Sequence, residues 1–105
     1  MFIAIVQIPM AKRPRDAAVE AAAKSAPTYT ALGAKGLVKK YYLNGEAGGG
    51  GVYLWASEAA ARAWYTPDWE KRMEAAFGAK PVVTYYDNHV VVDNEAGDVR
   101  VEGEN

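Results

Sequence analysis

The chain has 105 residues, half of them hydrophobic, and its 12 basic and 13 acidic residues give a formal net charge of −1. A chain of this size is expected to build one hydrophobic core. The balanced charge, with no basic stripe, argues against nucleic acid as a partner. The absence of cysteine excludes disulfides and thiolate chemistry, and it fits a reducing compartment.

The apolar N-terminal segment is too short to cross a membrane, and it lacks the basic leader and cleavage site of a signal peptide. No other stretch approaches the roughly 20 apolar residues that a membrane helix needs. We therefore expect a cytoplasmic protein with no membrane partner.

The first third of the chain predicts a strand and then a helix. Residues 2–8 are rich in β-branched side chains and stop at Pro9, which has no N–H for a sheet hydrogen bond. Pro14 suits the first position of a helix, and the alanine-rich run 17–26 has high helix propensity. Pro27 is expected to bend or interrupt that helix.

The middle of the chain predicts two strands in a hairpin. Residues 36–43 form the second predicted strand, and the Asn-Gly pair at 44–45 favours a turn between antiparallel strands. The third predicted strand covers residues 51–55. The glycine run 48–51 is predicted to be a flexible hairpin loop, because a phosphate-binding loop would lead into a helix.

Two helical segments follow. Ser57 suits the N-cap of a helix over 58–65, and Thr66 followed by Pro67 marks a fresh helix start. Gly78 suits the position after its end. The second segment carries large apolar residues four apart on one face, namely Trp69, Met73 and Phe77.

The last predicted strand runs from Pro81 to about Val92, which is about a dozen residues against a usual five or six. Such a strand overshoots one sheet, so we expect its excess to be buried against another subunit. The remaining tail, 94–105, is acidic and rich in turn-forming residues, and most of it is expected to be disordered. Val99 and Val101 alternate with charges there, a pattern that allows a short edge strand.

The predicted order β-α-β-β-α-β defines an α+β fold of the ferredoxin-like type over residues 1–93, followed by the acidic tail 94–105. The segments GLVKKYYLNG, GGVYLW, AWYTPDW and AAFGAKPVVTYYD carry a more specific resemblance. They resemble the monooxygenase-like proteins of the dimeric α+β barrel superfamily, related to the antibiotic-biosynthesis monooxygenases. The resemblance implies a homodimer of ferredoxin-like subunits, each with a pocket between its sheet and its helices.

His89 is the one histidine of the chain. Together with the lack of cysteine, this excludes the common two-histidine and three-histidine metal sites within one chain, so no metal is expected. His89 has two interpretations: a base with a pKa near neutrality, or an ordinary side chain at a strand end.

Five aromatic residues also have two interpretations, as filling for the core and the dimer interface or as walls of a ligand pocket with phenol and indole donors. They are Tyr41, Tyr53, Trp55, Trp64 and Tyr65. Alternation along the second strand predicts that Tyr41 shares a face with Leu37 and Lys39, and that Lys39 and Lys40 point to opposite faces. At most one of these lysines would then face a pocket.

Two functions of different classes remain open. The resemblance implies a cofactor-independent monooxygenase acting on an electron-rich aromatic or polyketide-like small molecule, with His89 as the proton acceptor. No flavin is expected, because the chain has no dinucleotide-binding glycine fingerprint. The alternative is a non-catalytic dimeric protein of the same fold that binds a small aromatic ligand.

Overall fold

The alternation of buried and more accessible side chains along the first strand indicates which face of the sheet is covered. In the computed structural model, which describes residues 1–103, β1 spans Phe2–Ile8. Its even-numbered side chains are buried and its odd-numbered ones are not. The buried set forms one core with side chains from the helices, including Leu32, Ala61 and Trp69. The helices therefore lie on the even-numbered face of β1.

Three further strands complete the main sheet: β2 (Leu37–Gly45), β3 (Gly48–Trp55) and β4 (Val82–Asp87). The strand order is β2-β3-β1-β4, and all neighbouring pairs are antiparallel. The helices are α1 (Arg15–Ala31), α2 (Glu58–Trp64) and α3 (Pro67–Phe77). This α+β arrangement is compatible with the ferredoxin-like fold expected from the sequence.

The helix boundaries follow the predicted caps. The Ser57 side chain accepts a hydrogen bond from the Ala60 N–H, and the Thr66 side chain accepts one from the Trp69 N–H. Pro67 begins α3, as predicted. The predicted interruption of the first helix at Pro27 does not occur, because α1 continues through this residue to Ala31. A short 3₁₀ turn at 32–35 then leads to Gly36, whose left-handed backbone ends the helical segment.

The glycine run 48–51 is strand rather than loop, contrary to the prediction. It pairs with both neighbouring strands, and Gly49 and Gly51 face the helices. A Cβ on Gly50 would lie 1.9 Å from the Val6 carbonyl oxygen, so β1 and β3 could not approach in this way with a larger residue there. Glycine has low strand propensity, but close backbone pairing determines the structure here.

The overlong fourth strand was also wrongly predicted. β4 ends at Asp87, and the chain then forms a separate hairpin of β5 (Val90–Asp93) and β6 (Asp98–Val101). The Asp93 carboxylate accepts hydrogen bonds from the N–H groups of Glu95 and Ala96, which fixes the turn between these strands. Part of the predicted tail is therefore ordered as β6, while residues 104–105 lie outside the described residues.

The odd-numbered face of the sheet remains accessible and is largely apolar. It carries Ile3, Ile5, Tyr41, Leu43, Val52, Leu54, Val82 and Tyr86. Tyr41 and Tyr86 are 59% and 52% exposed. Among residues 1–103, no helix is both long and apolar enough to cross a bilayer.

Candidate functional site

A cavity of about 270 Å³ lies between the covered face of the sheet and the helices α1 and α3. Small side chains on α1 leave this space, because Ala18, Ala21 and Ala22 line it. The α3 wall consists of the predicted apolar face, with Trp69, Met73 and Phe77, together with Ala76. The sheet wall includes Val6, Ile8, Lys40, Tyr42, Asn44 and Tyr53.

Lys40 is one of the polar residues that line this cavity. Its Nζ lies 3.3 Å from the ring centroid of Tyr29, 3.9 Å from that of Tyr42 and 4.7 Å from that of Tyr53. We call these three rings the tyrosine cage. Ring faces attract a cation through their quadrupole, so the cage holds the amine in a defined position.

Glycine in β3 makes room for this lysine. A Cβ on Gly51 would lie 3.1 Å from the Lys40 Cε and 3.0 Å from the Tyr53 ring. Lys40 pairs with Tyr53 across β2 and β3, and Tyr42 pairs with Gly51. The stem of Lys40 therefore packs against the space that a side chain at position 51 would need.

Burial lowers the pKa of the Lys40 amine from 10.5 to about 7. Attraction to the ring faces acts in the opposite direction, because it favours the ammonium form. Lys24 and Lys80 pair with carboxylates, whereas Lys40 has no ion pair within residues 1–103. Both protonation states of Lys40 are therefore accessible near neutral pH. No carboxylate of residues 1–103 neutralises the charge of the ammonium form.

Arg13 supplies a second positive charge at the wall of the cavity. Its backbone is fixed by Asn44, which accepts a hydrogen bond from the Arg13 N–H at 3.0 Å and donates one to the Arg13 carbonyl oxygen at 2.9 Å. The guanidinium lies 6.0 Å from the Phe77 ring centroid. No Asp or Glu is among the described lining residues, so the cavity has a positive electrostatic character.

Hydroxyl groups give the cavity neutral hydrogen-bonding partners. Burial raises the pKa of Tyr29 and of Tyr53, so both phenols stay protonated at neutral pH. The Tyr42 hydroxyl is 2.8 Å from the Ser25 hydroxyl, which connects β2 to α1. An acidic oxygen bound at Lys40 would therefore have phenol donors nearby.

Of the five predicted aromatic residues, the structure places only Tyr53 in the cavity lining. Trp55 is fully buried, and its indole N–H donates to the Tyr65 hydroxyl at 3.2 Å. The Tyr65 ring stacks edge-on against Tyr53 and Trp69, and Trp64 contacts Tyr29 in the same way. Trp55, Trp64 and Tyr65 thus form an aromatic layer behind the cavity wall.

Tyr41 lies on the opposite, accessible face of the sheet. An irregularity between Leu37 and Lys39 shifts the register of β2, so Leu37 is buried while Tyr41 is exposed. The expected common face for Tyr41 and Leu37 is therefore wrong. The two lysines do point to opposite faces, since Lys40 lines the cavity and Lys39 is exposed.

His89 does not line the cavity. It lies between β4 and β5 and is exposed, with its Nδ1 2.9 Å from a carboxylate oxygen of Glu102, which directly follows β6. This contact lowers the pKa of Glu102. Within residues 1–103, no group of three His, Asp or Glu side chains is arranged to hold a metal ion.

Sequence reasoning missed Arg13, Tyr29 and Tyr42 as residues of the cavity. It allowed one lysine of the pair at 39–40 to face a pocket, but it did not decide which one. The available signal was an inward-facing lysine in one predicted strand, together with a glycine run just before the next strand. No family model and no curated protein of known function matches this chain in sequence. The geometry of the cavity is therefore the basis for the function proposed below.

We predict that Lys40 makes the stability of the protein depend on pH. The folded protein binds the Lys40 proton less tightly than the unfolded chain, in which a lysine pKa is about 10.4. The unfolded chain then holds more protons above pH 7, so the free energy of unfolding rises with pH from about 7 to 9. Urea unfolding at several pH values measures this slope.

The variant Lys40→Met should flatten this rise, while Lys39→Met, which removes an exposed lysine, should leave it unchanged. The pH range of these unfolding measurements stops at about 9, because tyrosines ionise in the unfolded chain near pH 10. Equal slopes for the wild type and Lys40→Met would contradict the low pKa of Lys40.

Proposed function

We propose that the cavity binds a small, flat, largely apolar molecule that carries one acidic oxygen, such as a phenolate, an enolate or a carboxylate. The observation that carries this proposal is the unpaired Lys40 amine inside an aromatic cavity without lining carboxylates. A buried charge without a partner is costly, so a ligand that supplies the missing negative charge gains a strong interaction.

The shape of the cavity supports the same ligand class. Its volume of about 270 Å³ is close to the lower end of the usual range for small-molecule pockets, about 300 Å³. Aromatic and aliphatic side chains make up most of the wall, which suits a ring system. Lys40 and Arg13 would then orient the acidic oxygen.

A cofactor-independent monooxygenase acting on such a ligand is the second candidate. It is supported by the resemblance in sequence and by an amine whose neutral form is accessible near pH 7, close to the ideal for a general base. Lys40, rather than His89, would accept the proton, because His89 is outside the cavity. The phenols of the cage would stabilise the resulting substrate oxyanion.

In the simplest reaction of this kind, a CH₂ group between two aromatic rings becomes a ketone. One oxygen atom of O₂ enters the product and the other leaves as water, so that R₂CH₂ + O₂ gives R₂C=O + H₂O. All four electrons come from the substrate carbon. The ligand-binding proposal does not depend on this reaction.

We further propose that two chains associate through the accessible apolar faces of their sheets, as a dimeric α+β barrel. A patch of at least eight apolar side chains is larger than isolated exposed residues explain. Association of two identical faces about a two-fold axis is the commonest way to cover such a patch.

Ligand binding is tested with naphthoate, whose carboxylate is charged over the whole neutral range. We expect it to quench tryptophan fluorescence, because Trp69 lines the cavity. Lys40→Met should weaken binding by about tenfold or more, as expected for a lost charged hydrogen bond. Affinity should also fall as the pH rises above about 7, because Lys40 loses its charge.

The matched control is Lys39→Met, which should bind naphthoate like the wild type. Uncharged naphthalene should bind the wild type and Lys40→Met equally. If Lys40→Met binds naphthoate as tightly as the wild type does, the lysine does not hold the acidic oxygen.

Oxygen uptake with anthrone-like substrates tests the second candidate. We expect uptake without added flavin, insensitivity to a chelator, and a fall of roughly a hundredfold in rate for Lys40→Met. His89→Ala should keep the wild-type rate. Activity that a chelator abolishes and iron restores would contradict cofactor-independent chemistry.

Light scattering tests the proposed dimer, which should have twice the mass of the 11.4 kDa chain at micromolar concentration. Tyr86→Glu, on the accessible sheet face, should shift the protein towards the monomer. Val19→Glu is the control, because Val19 is 51% exposed on α1 and Tyr86 is 52% exposed. A wild-type protein with the mass of one chain would refute the dimer.

A further inference from the structure

Lys40 is the one primary amine among the described residues that line the cavity. The other cation there, Arg13, carries a guanidinium, which is protonated throughout the neutral range and is a poor nucleophile. The tyrosine cage fixes the position of the Lys40 Nζ, and no carboxylate of residues 1–103 pairs with it. A nucleophilic nitrogen is thus held at the wall of an aromatic-lined cavity.

We propose that Lys40 captures aldehydes and ketones covalently, by forming an imine between its Nζ and the carbonyl carbon of an aromatic ligand in the cavity. This inference rests on the proposed function in one respect, since the cavity must first admit the ligand. It adds a class of ligand, the aromatic carbonyl compound, and a chemical bond that simple binding does not require.

The reaction neither oxidises nor reduces the ligand. The Nζ lone pair attacks the carbonyl carbon, the electrons of the C=O bond move to the oxygen, and a proton passes from the nitrogen to that oxygen, giving a carbinolamine. The nitrogen then loses its remaining proton, the hydroxyl group takes one up, and water leaves, so that R–CHO + H₂N–Lys40 gives R–CH=N–Lys40 + H₂O. The Tyr42 hydroxyl, 2.8 Å from the Ser25 hydroxyl, is the proposed proton donor to the departing oxygen, because the Tyr42 ring lies against the Lys40 Nζ.

The surroundings of the amine favour its neutral, reactive form. Burial lowers its pKa to about 7, whereas an ordinary lysine, with a pKa of about 10.4, is almost fully protonated at that pH. The other titratable groups among the described lining residues are Arg13 and the phenols of the tyrosine cage. The α3 residues that line the cavity are not titratable.

The test uses 6-hydroxy-2-naphthaldehyde near pH 7.5, followed by borohydride, which converts an imine into a stable amine. Intact mass and peptide mapping then locate the label. We expect one main adduct, at Lys40, at least about tenfold above that at Lys39, which is exposed on the other face of β2. Lys39→Met should keep the main adduct. Lys40→Arg, which retains the positive charge, should abolish it.

Binding of 2-naphthol, which has no carbonyl group, is measured in parallel by tryptophan fluorescence. An excess of 2-naphthol should suppress labelling of Lys40 by about tenfold. If 2-naphthol binds but the label spreads evenly over the lysines, or is not suppressed, the imine proposal is wrong while the binding function stands. If neither compound binds, both proposals are wrong.

Discussion

A lysine amine held among three tyrosine rings, with no carboxylate of the described chain beside it, is the constraint on which the cavity depends. Burying an unpaired cation is unfavourable, and the ring faces of Tyr29, Tyr42 and Tyr53 offset part of that cost. The remaining imbalance has two consequences. It lowers the pKa of Lys40, and it is the basis of the proposed preference for a ligand that brings negative charge or an electrophilic carbon.

The backbone is arranged around this lysine. Gly51 on β3 leaves the space that the Lys40 stem occupies, and alanines on α1 leave the space that a ligand would occupy. The lack of a side chain at Gly51, which lowers its strand propensity, therefore makes room for the Lys40 stem. Within the aromatic layer, Trp55 donates to the Tyr65 hydroxyl, and the Tyr65 ring packs edge-on against Tyr53. A small domain with one core thus keeps an unfilled space beside that core.

Local rules predicted much of the fold. β1, the Ser57 and Thr66 caps and the apolar face of α3 depend on neighbouring residues, so the sequence alone indicates them. The errors arose where pairing between distant segments decides the structure. The glycine run becomes strand because β1 and β2 pair with it, and the predicted fourth strand divides because the chain after His89 pairs with the tail instead.

The candidate site was harder to predict for the same reason. The irregularity in β2 moved Tyr41 to the accessible face, and the division of the last strand placed His89 away from the cavity. Alternation did establish that only one lysine could face inward. What it could not supply was the convergence of Tyr29 from α1 and Tyr53 from β3 on that lysine.

The most direct test of this account is an NMR titration of lysine side chains in the folded protein. The titration is run with and without naphthoate. The Lys40 signal is assigned through its loss in Lys40→Met. We expect a pKa near 7 in the free protein and a clear rise when naphthoate is bound, because the ligand's carboxylate favours the ammonium form. An ordinary lysine pKa in the free protein, unchanged by naphthoate, would contradict the central claim.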